Sequence, residues 1–148
     1  MPAFLSTELG GSANQTVAPV GYKPRASVYH ARLKRLRATF TLASQATTDT
    51  LVVGNLPPGA TFAYGIINAS VTLGSSTVAV GITGATGKYR AAAAFTTADT
   101  PTLFGDDAAQ AAADPALTAE ENVFVTIASA ALPASGTLVI DMFYSMPQ

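Results

Sequence analysis

Neither cysteine nor tryptophan occurs among the 148 residues, and histidine occurs once, as His30. The missing thiols exclude a disulfide framework, a thiolate metal site and a cysteine nucleophile. A single imidazole removes the usual zinc and general-base clusters, and His30, beside Tyr29, reads as structural rather than catalytic. Charge is scarce as well. Only 11% of residues are ionised, against a usual share of about 25%. The hydrophobic fraction is 49%, carried largely by alanine and valine. A surface that small and neutral is expected to be covered by neighbours rather than left to solvent.

Long apolar runs are also missing. The longest, such as Ala91 to Phe95, fall far below the roughly 20 residues that a spanning helix needs, so no membrane partner is expected. The start, MPAFLSTELGG, has neither the basic opening nor the apolar centre of a secretion signal. The chain is expected to stay where it is made, and the sequons at Asn14 and Asn68 then carry little weight.

What is present divides into an arm and a domain. Residues 1–27 are broken by Gly10, Gly11, Pro19, Gly21 and Pro24, which reads as an extended N-terminal arm. Residues 28–148 suffice for a single domain, and a chain of this length buries about 70% of its extended surface. The charges are polarised. Lys23, Arg25, Arg32, Lys34, Arg35 and Arg37 are six of the eight basic residues. Beyond Arg90 the ionised residues are all acidic: Asp99, Asp106, Asp107, Asp114, Glu120, Glu121 and Asp141. The basic segment is therefore the candidate partner-binding site, directed at an acidic protein surface. Nucleic acid is the weaker partner: only Tyr22 and Tyr29 are interleaved with the cations, and no RNA-binding motif is present.

Most of the chain alternates with period two, the signature of strands buried on one face. Ala38, Phe40 and Leu42 oppose Thr39 and Thr41, and Leu51 to Val53 makes a short strand before Pro57 and Pro58. Ile67, Ala69, Val71 and Leu73 alternate with polar residues up to the break Gly74-Ser75-Ser76, after which Val78, Val80 and Ile82 resume. This pair reads as a hairpin. A third strand is expected from Lys88. Asp99 to Leu117 is the least strand-like stretch, with one or two helical turns expected over Ala108 to Ala113. Val123, Val125 and Ile127, then Leu138, Ile140, Met142 and Tyr144, flank the turn Pro133 to Gly136 and read as a closing hairpin. Seven or eight short strands with Gly, Pro and Ser turns predict an all-β antiparallel sandwich or barrel. Ile67, Val71, Val78, Val80, Ile82, Val125, Ile127, Leu138 and Ile140 are its expected core.

Catalytic constellations are weak. Gly84-Ala85-Thr86-Gly87-Lys88 looks like a phosphate loop but has Ile82 and Tyr89 where a glycine and a serine or threonine belong, so a hairpin turn is expected. Asp106 with Asp107, or Glu120 with Glu121, would be needed as an acid–base pair or a calcium site. Neighbours on a strand face opposite ways and loop pairs are usually only solvated, so neither is expected. No cofactor or metal is implied, and the chain is not expected to be an enzyme.

The stretch from Leu56 to Thr97, followed by Leu117 to Tyr144, resembles the cement or decoration proteins of tailed-bacteriophage heads. The shared features are the Leu-Pro-x-Gly-Ala turn at Leu56, Pro57, Gly59 and Ala60, two strands around a Gly/Ser break, and Gly-x-x-Gly-Lys-Tyr ending at Tyr89. A Glu-Glu pair before Leu132, Pro133, Ala134 and Gly136 completes the pattern, which covers about Asp49 to Tyr144. The resemblance implies a jelly-roll-like sandwich, residence on the virion, and a role in bridging subunits of the capsid shell. Its implied partners are the major capsid protein and other copies of the chain, as dimers or trimers. The alternative is a carbohydrate-binding or adhesion sandwich of a fibre, which the absence of tryptophan disfavours, since sugar sites usually want exposed aromatic platforms. A small hydrolase ranks last for want of a nucleophile and base.

Overall fold

The computed structural model describes residues 32–105 and 115–146. Eight strands succeed one another: β1 (Leu33–Thr41), β2 (Thr50–Leu56), β3 (Thr61–Ala69), β4 (Thr77–Ile82), β5 (Ala85–Ala94), β6 (Thr102–Phe104), β7 (Glu121–Ala128) and β8 (Thr137–Ser145). They form two four-stranded sheets, ordered β1-β8-β3-β6 and β2-β7-β4-β5, in which every pairing is antiparallel. Two sheets with this interleaved order are a jelly roll, the sandwich expected from the sequence. The arm, residues 1–27, lies outside the described residues, as do the helical turns expected over Ala108 to Ala113.

Alternation places the core where the sequence predicts it. Ile67, Val78, Val80, Val125, Ile127, Leu138 and Ile140 are all buried, while Val71 and Ile82 are only half-buried at the margin. Leu42, Leu56, Leu73, Val123 and Met142 join them. Each such side chain stabilises the fold by roughly 1.5–3 kcal/mol. At one end of the core Phe104 from β6 lies over Gly65, where an added Cβ would meet the ring at 2.1 Å. Only glycine admits that ring, and the ring anchors a strand of just three residues.

Two expected connections are corrected. β3 and β4 are not a hairpin, and neither are β7 and β8, because the members of each pair belong to opposite sheets. Residues 70–76 instead carry the chain across the sandwich, with Leu73 buried on the way and its N–H donated to the Phe95 carbonyl at 2.9 Å. Residues 129–136 cross in the same manner. Leu132 plugs that end and donates its N–H to the Gln45 carbonyl at 2.9 Å. A short Gly/Ser break leaves the same trace whether the chain reverses within a sheet or steps some 10 Å to the facing one.

The true hairpin is β4–β5, turning at Thr83 and Gly84 between the paired Ile82 and Ala85. The glycine-rich stretch before Lys88 is thus a turn and a strand rather than a phosphate cradle, with β5 beginning at Ala85, three residues before the expected start at Lys88. β5 is heavily bulged. Between the pairs Ile82↔Ala85 and Val80↔Arg90, β4 advances two residues while β5 advances five. The three extra residues arch over Gly81 and deliver Lys88 and Tyr89 to β7. Arg90 fills the gap in the ladder by donating to the carbonyls of Val78 and Ala93, and burial pushes its guanidinium below its ordinary pKa.

Candidate interaction surface

β1 is an edge strand, and its even positions face the core. Its odd positions, Leu33, Arg35, Arg37 and Thr39, therefore lie on the outer face of the sheet. Of the six basic residues expected to bind a partner, Lys23 and Arg25 lie outside the described residues. Arg32 is exposed just before β1, and Lys34 is exposed at an inward-side position. Arg35 and Arg37 stand together on the outer face, two residues apart.

Their neighbour is the feature that sequence reasoning missed. Asp141 sits opposite Arg37 in the register of β1 with β8. Arg37 grips it with both arms of its fork: Nε donates to Oδ1 at 2.7 Å and a terminal NH2 to Oδ2 at 2.5 Å. Arg35 Nε approaches the same carboxylate at 4.0 Å. The Asp141 side chain is only 8% exposed, whereas those of Arg35 and Arg37 are 52% and 50% exposed. The hydrogen bonds and attraction of Asp141 hold the Arg37 guanidinium above its ordinary pKa. The contribution of that raised pKa is complete below the unfolded value and is lost only as pH rises through the folded one, so it persists throughout the neutral range. The signal in the sequence was a lone carboxylate inside the apolar run Leu138 to Tyr144.

Removing Arg37 leaves a nearly buried carboxylate, but Arg35 is close enough to swing in. The double substitution R35A/R37A should therefore lower stability by more than the two single losses added, read as midpoints of urea unfolding. Strict additivity would show that Arg35 takes no share in holding Asp141.

Aromatic and aliphatic groups continue the face. Phe143 lies between Arg35 and Tyr64 in register, and its ring stacks on Tyr64 with centroids 4.7 Å apart. Asp141 lies between Arg37 and Ile66, and Ile66 pairs in turn with Leu103 on β6. Leu103 is 70% exposed and Leu33 53%.

The acidic pair near β7 separates as expected. Glu120 accepts from Asn55 Nδ2 at 3.0 Å, while Glu121 accepts from both Lys88 Nζ and the Tyr89 hydroxyl. Glu121, Lys88 and Tyr89 line a cleft of about 220 Å³ with Phe62 and residues 115–118. Both carboxylate oxygens are thus engaged within the chain. Among the described residues no three His, Asp or Glu side chains converge as a metal site would require. Asn68 lies half-buried on β3, and Ser70 Oγ accepts the Thr137 N–H at 2.9 Å, so that sequon is built into the sheet. No helix among the described residues is long and apolar enough to cross a membrane.

No family model and no curated protein sequence matches the chain. Solved structures do. A chain of the cyanophage Pam1 capsid asymmetric unit superposes with a TM-score of 0.62 at 18% identity, covering 92% of this chain and 96% of that one. A chain of the capsid of Ralstonia phage GP4 gives 0.60 at 22% identity, over 79% and 86%. One from the acid-stable capsid of Helicobacter pylori bacteriophage KHP30 gives 0.58 at 14%, over 78% and 89%. At these identities the shared property is the fold. All three come from phage capsids, the kind of particle to which the resemblance in turns and strands pointed.

Proposed function

We propose that the chain is a non-enzymatic structural protein of a bacteriophage virion, which binds the outside of the capsid shell and stabilises it by bridging neighbouring subunits. The observation that carries this reading is the near-complete, two-way overlap with a phage capsid chain, 92% of one and 96% of the other. A match of that extent sets one sandwich on another over nearly the whole of both chains. The surface agrees with such a role. An 11% charged chain with leucines standing out of one sheet has the composition of a protein meant to be covered. Cement proteins act by adding contacts across joints, which needs a stiff body and one or more docking faces but no catalytic group.

In this reading residues 1–27, with Lys23 and Arg25, extend the contact beyond the sandwich, because an arm ordered on binding enlarges an interface without enlarging the fold. The test uses empty capsids assembled from the major shell subunit encoded by the same phage. The intact chain should co-sediment with them and raise the temperature at which they rupture. A chain lacking residues 1–25 should remain folded and be retained at least tenfold less well, a loss of about 1.4 kcal/mol in binding. Failure of the intact chain to bind or to toughen the shell would refute the proposal, and undiminished binding of the truncated chain would refute the role of the arm.

A further inference from the structure

Among the described residues, one of the two outer faces gathers more of the groups that make a binding surface than the other. Three large apolar side chains stand strongly exposed among the described residues, and two of them, Leu33 and Leu103, lie on the outer face of β1-β8-β3-β6. The third, Val52, stands on the opposite face, where Phe124 is its register partner and Asn122 and Thr126 its neighbours on β7. On the first face the leucines flank the stacked Tyr64 and Phe143, with the two arginines alongside. Aromatic residues and arginine, with lysine and glutamate scarce, are what interface centres are enriched in, and truncating such groups costs the most binding energy. The strands set these groups only about 4.8 Å apart sideways, so they form one continuous patch about 14 Å across.

The charge on the patch selects the partner. Arg35 and Arg37 are each about half exposed while Asp141 is almost covered, so the face turns positive charge outward. A two-fold contact between copies through this face would bring two surfaces of the same positive sign together, which is costly. Carboxylates on an unlike protein would instead meet the terminal nitrogen of Arg37 that lies outside its pair with Asp141 and engage Arg35. We propose that the outer face of β1-β8-β3-β6, rather than that of β2-β7-β4-β5, docks on an apolar surface of the shell subunit rimmed by aspartate or glutamate. This assignment rests on the capsid reading and names the side that serves it.

The experiment compares full-length Leu103→Asp, Arg35→Glu and Val52→Asp with the parent chain, on the same empty capsids. All three positions are more than half exposed, so the variants are expected to fold, which unfolding midpoints within about 2 °C would establish. Leu103→Asp and Arg35→Glu should bind at least tenfold more weakly, with the loss from Arg35→Glu shrinking as salt is raised, whereas Val52→Asp should stay within about twofold. Unchanged binding of both face variants while the parent binds would overturn the assignment and leave the capsid reading standing. Dispersal of a capsid-free oligomer by Leu103→Asp would also overturn it, by giving the face to a second copy. A parent chain that does not bind at all removes the capsid reading and this inference with it.

Discussion

Alanine in place of Gly81 should destabilise the protein by about 3 kcal/mol or more, lowering its thermal midpoint by about 10 °C. A Cβ at this position would lie 2.2 Å from the Ala85 carbonyl oxygen and 2.5 Å from the Thr86 carbonyl. Both are backbone atoms of the bulge that arches over β4. No side-chain rotation relieves such a clash. The bulge must lift, and with it go Lys88 and Tyr89, the two donors that hold Glu121. The midpoint is read by calorimetry, and a tyrosine near-ultraviolet signal altered in the folded variant would report the displaced Tyr89. A midpoint within 2 °C of the parent would mean that the arch over Gly81 is not formed as described.

Ile140→Ala should have an effect of similar size, about 2–5 kcal/mol. Ile140 is fully buried at the middle of β8, paired with Ala38 on one side and Ile67 on the other. Its neighbours belong to two strands and to the facing sheet, so they cannot close on the space left behind without bending the sandwich. Urea unfolding gives the loss directly, with an unchanged slope if the unfolded state is unaffected. Leu103→Ala is the matched control. Its side chain is mostly in water, and its loss should change stability by no more than about 0.5 kcal/mol. Equal effects at the two positions would contradict the assignment of core and face.

The period of two in Val78 to Ile82, Val123 to Ile127 and Leu138 to Tyr144 was enough to place strands and most of the core, because burial on one face imposes that period directly, whereas in Ile67 to Leu73 the same period runs on past the end of β3 at Ala69. Connectivity was less legible. Leu73 and Leu132 look in sequence like ordinary strand or turn residues, yet each is the plug of a crossing between sheets, a distinction decided by contacts far along the chain. β6 escaped notice because three residues show no period, and Phe104 declares itself only through Gly65. The basic segment was visible as a cluster of charge, but its division was not. Arg37 meets Asp141 across 104 residues of chain, and nothing local to either records that pairing. The polarity between a basic start and an acidic end is therefore partly spent inside the molecule.

Whether this sandwich is a capsid component is tested most directly by electron cryomicroscopy of virus particles produced from the genome that encodes it. A jelly roll of two four-stranded sheets should be found on the shell, straddling joints between subunits, with β1-β8-β3-β6 turned toward them. Complete, genome-filled shells carrying no such density would contradict the proposal.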